Sequence, residues 1–212
     1  EMKKWKKLLI PAMCVFMLQT PVIASADATV SGNAASVITD PVATPAQAVK
    51  NGIYTESGKK YLYVNGVKKK NCWDKTKTYY FGKNGAAYKA PKAMGCKKNV
   101  KVFKIGKKKY GFDRNGCKVK TGVYANEKGT PYYFKKGVLV EKKSAQLKKA
   151  CKYKANGKTI RKLMGKKPSK TTTSSSCMTG VKKDLTLTYA NVYVQLGKKY
   201  NGGEIVYGMQ PR

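Results

Sequence analysis

The sequence has no histidine and only ten acidic residues, against 45 lysines and arginines in 212 positions. Hydrolases, phosphoryl-transfer enzymes and metalloenzymes use histidine and clustered carboxylates for proton transfer and metal ligation. Here the acids stand singly along the chain, and no glycine-rich phosphate-binding motif is present. We therefore expect a protein that is not an enzyme, with no catalytic residue, no metal site and no cofactor.

Cysteine is also scarce, and the pattern does not suggest thiol chemistry. Beyond Cys14 the chain has five cysteines, without a Cys-x-x-Cys pair. A cysteine nucleophile normally takes its base from histidine, which is absent. An odd count leaves at least one thiol outside any intramolecular pairing. Cys151 and Cys177 are the candidates for a disulfide, because both belong to the same carboxy-terminal segment.

Long hydrophobic runs are missing as well. The apolar run from Leu8 to Leu18 follows a cluster of lysines and is too short to span a bilayer, which needs about 20 residues. Small residues at 24–26 then complete the pattern of a signal peptide over residues 1–26. We expect a secreted protein without a membrane span. Its charge after removal of this segment is +32, from 41 cations and nine acids.

Residues 27–50 contain no aromatic residue and are rich in Ala, Val, Thr, Ser and Pro. Such a composition buries too little surface to offset chain entropy, so it predicts a disordered linker.

Between residues 51 and 143, short aromatic runs alternate with glycine turns. The runs are Tyr61 to Gly66, Tyr79 to Gly85, Tyr110 to Gly116 and Tyr132 to Gly137. In each run aromatic residues recur at i and i+2, which on a strand places both rings on one face. Three runs end in Asn-Gly, a strong hairpin signal because both residues accept positive φ. A mostly β fold is predicted, an irregular solenoid of β-hairpin repeats.

The segment from Gly106 through Tyr110 to Gly116, followed by Lys120-Thr121-Gly122-Val123-Tyr124, resembles the cell-wall-binding repeats of secreted Gram-positive proteins. These repeats are of the choline-binding and glucan-binding type. The resemblance implies stacked hairpins whose aromatic residues bind choline or glucan. Choline-binding repeats usually carry tryptophan after Thr-Gly, where this chain has Val123-Tyr124, so wall polymers are favoured over choline.

The resemblance implies a set of candidate ligand-binding residues, all aromatic and all within or beside the runs. They are Tyr61, Tyr63, Trp73, Tyr79, Phe81, Tyr110, Phe112, Tyr132 and Phe134. Aromatic residues at strand spacing also pack in cores, so only some of the nine can belong to a site.

Arginine is rare, with three occurrences against 42 lysines. Arginine recognises phosphate or carboxylate with fixed geometry, whereas lysine is a hydrated point charge that attracts anions without orienting them. A lysine-rich surface therefore favours diffuse attraction to a polyanion such as teichoic acid or an acidic glycan. Export and the shortage of arginine argue against a specific nucleic-acid partner.

The segment 144–212 has a different texture and predicts a small α+β domain. Ser144 is expected to cap a first helix, and Ile160, Leu163 and Met164 predict a second helix that ends at Gly165. A polar Ser/Thr stretch at 169–176 follows. Alternating apolar residues then predict strands at 185–189, 192–196 and 205–209.

These observations predict a secreted binding protein, associated with the cell wall through teichoic acid or glycan. The alternative is a structural or interaction protein whose repeats act as a spacer and whose carboxy-terminal domain binds a protein partner. A membrane-active toxin is disfavoured because the sequence has no long amphipathic helix.

Overall fold

The computed structural model describes residues 49–212, so the predicted signal peptide and all but the end of the predicted linker lie outside the described residues. Within this range the chain is mostly β, as predicted, with fourteen strands and two helices. The strands are β1 Gly52–Glu56, β2 Lys59–Val64, β3 Val67–Lys68, β4 Cys72–Trp73, β5 Tyr80–Phe81, β6 Lys101–Ile105, β7 Lys108–Phe112, β8 Gly122–Ala125, β9 Pro131–Lys135, β10 Val138–Leu139, β11 Lys170–Ser175, β12 Val181–Thr188, β13 Val192–Lys199 and β14 Glu204–Pro211. The helices are α1 Glu141–Ala150 and α2 Gly157–Met164.

The strands form four antiparallel sheets. Three of them follow chain order: β1-β2-β3, β4-β5 and β11-β12-β13-β14. The largest sheet has the order β6-β7-β10-β9-β8, because β10 inserts between β7 and β9. Short turns make this arrangement possible, since antiparallel neighbours need only a few connecting residues.

Two-residue turns close several hairpins where the sequence places Gly second. At Asn65-Gly66, between Val64 and its partner Val67, φ is 51° and 74°. Lys136-Gly137 joins β9 to β10 with φ of 51° and 82°. Positive φ at both central residues matches the right-handed twist of the strands, so the hairpin turn predicted at Asn65-Gly66 is confirmed.

The larger of two hydrophobic clusters joins segments that are far apart in the chain. Val123 and Ala125 of β8 pack with Leu147 of α1, Ile160 of α2 and the inward residues of β12, β13 and β14. Residues 51–143 and 144–212 therefore share one core. The smaller cluster lies within the five-stranded sheet and contains Val100, Val119, Tyr124 and Phe134.

The predicted cap of the first helix is wrong. α1 begins at Glu141, its N-cap residue is Val140, and Ser144 lies inside the helix with 3% of its surface exposed. The Ser144 hydroxyl accepts a hydrogen bond from the Tyr133 amide at 2.9 Å and donates one to the Val140 carbonyl at 2.8 Å. Ser144 therefore fastens α1 to β9, a tertiary role that local sequence does not reveal.

The remaining carboxy-terminal elements follow the predicted pattern with one addition. α2 ends at Met164 and is capped, as predicted, by Gly165, whose φ of 67° is left-handed. The three predicted strands correspond to β12, β13 and β14. The polar stretch at 169–176 also contains a strand, β11, which pairs with β12 along its whole length. All six residues of β11 are exposed, so backbone pairing rather than apolar burial holds it.

Among the described residues, neither helix is long and apolar enough to cross a membrane.

Phe112 is fully buried and contacts rings from three different segments, so its replacement by alanine should leave a cavity. We expect Phe112→Ala to lower the free energy of unfolding by about 3–5 kcal/mol. Tyr200 is 75% exposed and serves as the control, for which Tyr200→Ala should change stability by less than about 0.5 kcal/mol. Urea unfolding followed by circular dichroism measures both. Equal losses for the two variants would contradict the assigned core.

Candidate functional site

Six rings form one contiguous group, called the aromatic cluster below: Trp73, Tyr80, Tyr88, Phe103, Tyr110 and Phe112. Phe112 is fully buried at its centre, and the other five rings are half-buried. The Trp73 centroid lies 5.1 Å from that of Tyr110 and 5.8 Å from that of Phe112. Half-buried rings around a buried one offer apolar surface that is held in place by packing.

Two hairpins bring these rings together. In the β4-β5 hairpin Trp73 pairs with Tyr80, and in the β6-β7 hairpin Phe103 pairs with Tyr110. Tyr88 lies between the hairpins, with its ring stacked on Phe103 at 4.2 Å and 10°. Directly opposed residues on antiparallel strands share one face, which explains why each pair points into the same cluster.

The turn of the β4-β5 hairpin is organised by Asp74. Its carboxylate accepts hydrogen bonds from the Thr76 hydroxyl and the Thr76 amide, and from the Tyr79 amide at 2.6 Å. Burial alone would raise the pKa of Asp74, but these hydrogen bonds outweigh it and lower that pKa below its usual value. The carboxylate therefore stays charged and holds Trp73 and Tyr80 in register.

Glycine allows a close approach at two positions of this region. A Cβ atom on Gly82 would lie 2.6 Å from the Tyr88 ring, and one on Gly111 would lie 2.6 Å from the Phe134 ring. Both contacts are far shorter than van der Waals distance. A larger residue at Gly82 would displace Tyr88 from the aromatic cluster.

Lysines stand at the edge of the cluster. The Lys118 ammonium lies 5.2 Å from the Trp73 ring centroid, and that of Lys101 lies 5.4 Å from the Phe103 ring centroid. Both distances fall within the range of cation–π attraction. The cluster thus combines apolar ring surface with positive charge, and the combination suits a polymer that carries both sugar rings and anions.

The nine predicted residues do not form one site. Trp73, Tyr110 and Phe112 belong to the aromatic cluster. Phe81, Phe112 and Phe134 have no exposed surface, so they are core residues and their prediction as ligand contacts is not supported. The spacing within each run places these rings on one face of a strand, but whether a ring is buried depends on which other segment covers it.

The other predicted residues lie in separate places. Tyr79 is half-buried and its hydroxyl accepts hydrogen bonds from the ammonium of Lys60 at 2.9 Å and from the thiol of Cys117 at 3.4 Å. Tyr132 is half-buried beside Phe134, with its ring 4.9 Å from the Lys148 ammonium. Tyr79 and Tyr132 therefore each contact a lysine, and neither belongs to the aromatic cluster.

Tyr61 and Tyr63 lie on one face of the first sheet, in a Tyr-Lys-Glu group. The Lys68 ammonium is 3.7 Å from the Tyr61 ring centroid and 3.2 Å from a Glu56 oxygen. Glu56 also accepts hydrogen bonds from Lys50 at 2.9 Å and from the Tyr63 hydroxyl at 2.8 Å. These partners, chiefly Lys50 and Tyr63, lower the pKa of Glu56 to about 2.

Three residues of the cluster, Tyr80, Tyr88 and Phe103, are absent from the predicted set. Tyr80 lies between the predicted residues Tyr79 and Phe81, and strand alternation places it on the opposite face from both. Tyr88 and Phe103 lie outside the aromatic runs, and the only local signal is the apolar-polar alternation of Phe103-Lys104-Ile105. Their role depends on contacts between hairpins.

The described cysteines form no disulfide. All five in residues 49–212 are free, so the predicted bridge between Cys151 and Cys177 is not formed in the structure. Cys151 packs against the large core, whereas Cys177 is exposed in the connection before β12. Burial raises the pKa of Cys151 to about 12, which keeps its thiol protonated near neutral pH. In the same range no group of three metal-ligating side chains occurs.

The Glu56 carboxyl gives a pH dependence with a definite sign. Its pKa in the folded chain is about 2, below the ordinary value of 4.5, so its contribution to stability is complete above pH 4.5 and is lost as pH falls toward 2. We expect the Glu56 carboxyl carbon to titrate in NMR spectra near pH 2, and Lys68→Met to move that midpoint upward. A midpoint near 4.5 in the unaltered chain would contradict the Tyr-Lys-Glu group.

Comparison with known proteins does not extend this description. No family model, curated protein or solved structure matches the chain.

Proposed function

We propose that this chain is a secreted, non-enzymatic protein that attaches to cell-wall polymers through the aromatic cluster and its lysines. The observation that carries the proposal is the group of five half-buried rings around Phe112, with Lys101 and Lys118 at its edge. Sugar rings stack on aromatic surface through their C–H faces, and lysines attract the phosphates or carboxylates of the same polymer.

The charge of the chain supports a polyanionic partner. Positions 49–212 hold 41 basic and seven acidic residues, and few of the lysines are in ion pairs. The unpaired lysines repel one another, which destabilises the folded state, and binding of counter-ions or a polyanion relieves this repulsion. Teichoic acid and acidic glycans are extracellular polyanions that meet this requirement. Wall attachment would then combine a salt-sensitive part from the lysines with a salt-resistant part from the rings.

The alternative is a structural or interaction protein in which the repeats are a spacer. One feature favours it: β11 is an edge strand whose six residues are all exposed, and such edges accept a further strand from a partner. The partner would then bind through the carboxy-terminal segment. Deleting residues 144–212 cannot separate the two proposals, because Val123 and Ala125 pack in the core formed by that segment.

A single substitution separates the two proposals. We expect Trp73→Ala to weaken the salt-resistant binding of the 212-residue chain to walls stripped of teichoic acid by at least about fivefold, the loss typical of a central aromatic contact. The control is Tyr200→Ala, since Tyr200 is exposed and outside the cluster. Co-sedimentation at low and high NaCl measures the effect, and circular dichroism verifies that both variants are folded.

Equal binding by Trp73→Ala, Tyr200→Ala and the unaltered chain would exclude the aromatic cluster as a wall-binding site. The same equality is what the spacer alternative requires. Loss of all binding at high salt, in every variant, would assign attachment to the lysines alone.

A further inference from the structure

A cavity of about 300 Å³ lies between the five-stranded sheet and the carboxy-terminal segment, apart from the aromatic cluster. Val123, Tyr133 and Lys143 contribute one side, and Met164, Lys166 and Tyr189 contribute the other. Its volume is at the lower end of the range for ligand pockets, which is about 300–1,000 Å³. It therefore has room for a molecule of roughly monosaccharide size.

Two local features fix the cavity's shape. The left-handed conformation of Gly165 ends α2 and places Lys166 at the rim. Asn191, in the turn between β12 and β13, donates a side-chain hydrogen bond to the Val123 carbonyl at 3.3 Å. This bond links the turn to β8, so the opposite sides of the cavity are connected. The cavity is thus built by elements that also form the large core.

The walls combine ring surface with positive charge. Tyr189 is 7% exposed and Tyr133 is half-buried against the core, so both rings are held by packing. The Lys143 ammonium lies 4.0 Å from the Tyr133 ring centroid. Apolar ring walls suit the C–H faces of a small cyclic molecule.

The charge of the lining has one sign. Lys143 and Lys166 are its two charged residues, and no acidic residue lines the cavity. Neither lysine is in an ion pair with any residue of the range 49–212. Two ammonium groups in a lining that has no carboxylate attract an anion and disfavour a cation. A neutral molecule would gain no such electrostatic attraction from the two lysines.

We propose that this cavity binds a monosaccharide that carries one negatively charged group, either a carboxylate or a phosphate. Lys143 and Lys166 hold the anion, and Tyr133 and Tyr189 pack against the sugar ring. The site is separate from the aromatic cluster, so this binding does not depend on attachment to walls through Trp73. The cavity would thus recognise a single charged sugar, whereas the lysine-rich surface attracts anions without such selectivity.

Three probes test the ligand class: glucuronate, glucose 6-phosphate and glucose, titrated into the 212-residue chain labelled with ¹⁵N. We expect one or both charged sugars to shift the amide resonances of Gly122 and Gly165, which line the cavity, while glucose at the same concentration leaves them in place. The two charged probes distinguish a carboxylate ligand from a phosphate ligand. Equal shifts with glucose, or no shifts with any probe, would overturn the proposal.

Substitutions test the assigned residues. Lys143→Met and Lys166→Met should each weaken binding of the charged sugar on the order of tenfold, the loss expected for one charge-assisted hydrogen bond. Lys142→Met, at an exposed neighbour on α1 that does not line the cavity, is the matched control for removing one charge. Equal weakening by Lys142→Met and the two cavity variants would show diffuse attraction and overturn the assigned site.

A substitution that keeps both lysines provides an independent test. Ala190 is exposed at the cavity's edge, and Ala190→Phe is expected to fill the cavity without changing its charge. Binding of the charged sugar should be abolished while the spectrum elsewhere stays that of a folded chain. Undiminished binding by a folded Ala190→Phe chain would contradict binding inside this cavity.

Discussion

Burial of aromatic rings in a chain with few carboxylates, with lysine ammonium groups over rings that remain half-exposed, is the constraint on which the rest of this structure depends. With 41 basic and seven acidic residues in positions 49–212, carboxylates cannot neutralise the lysines. Within that range eight lysines lie over rings, whereas three lysines and one arginine form ion pairs. An exposed contact of either kind stabilises by at most about 1 kcal/mol, so their numbers decide which matters more.

The same contacts explain how a fold with small sheets holds together. Three of the four aromatic runs present one face to a core, where Phe81, Phe112 or Phe134 is buried, and leave other rings at the boundary with solvent. At that boundary the rings carry lysines whose stems cover apolar surface while their charges stay in water. The half-buried rings and the lysines beside them thus contribute both to packing and to the distribution of charge. The ligand sites that we propose consist of residues of these two kinds.

Local patterns predicted the hairpin turn at Asn65-Gly66 because its cause is local, whereas Asn84 and Asn115 do not have the positive φ expected at the other two Asn-Gly pairs. Asn65-Gly66 adopts positive φ by its own chemistry, and Tyr110 and Phe112 share a face because they are two residues apart. Whether a ring is buried or half-exposed depends on a distant partner. Phe112 is covered by Trp73 and Tyr88, which no spacing in the runs indicates.

Other features depended on contacts that the sequence does not display. Serine is a residue type that often caps helices, but the Ser144 hydroxyl accepts a hydrogen bond from the Tyr133 amide on β9 instead. The Ser/Thr stretch lacks apolar alternation. It forms β11 because its backbone pairs with the backbone of β12. The cavity at Tyr189 brings together residues near 121, 143, 165 and 190, so no local motif marks it.

The dependence of stability on salt tests this account most directly. If unpaired lysines repel one another more than the few ion pairs attract, the urea midpoint of unfolding should rise as NaCl increases and screens the charges. Urea is the suitable denaturant because it adds no ions of its own. A midpoint that falls as NaCl increases would show that ion pairs outweigh the repulsion, and would contradict an account in which most lysines have no carboxylate partner.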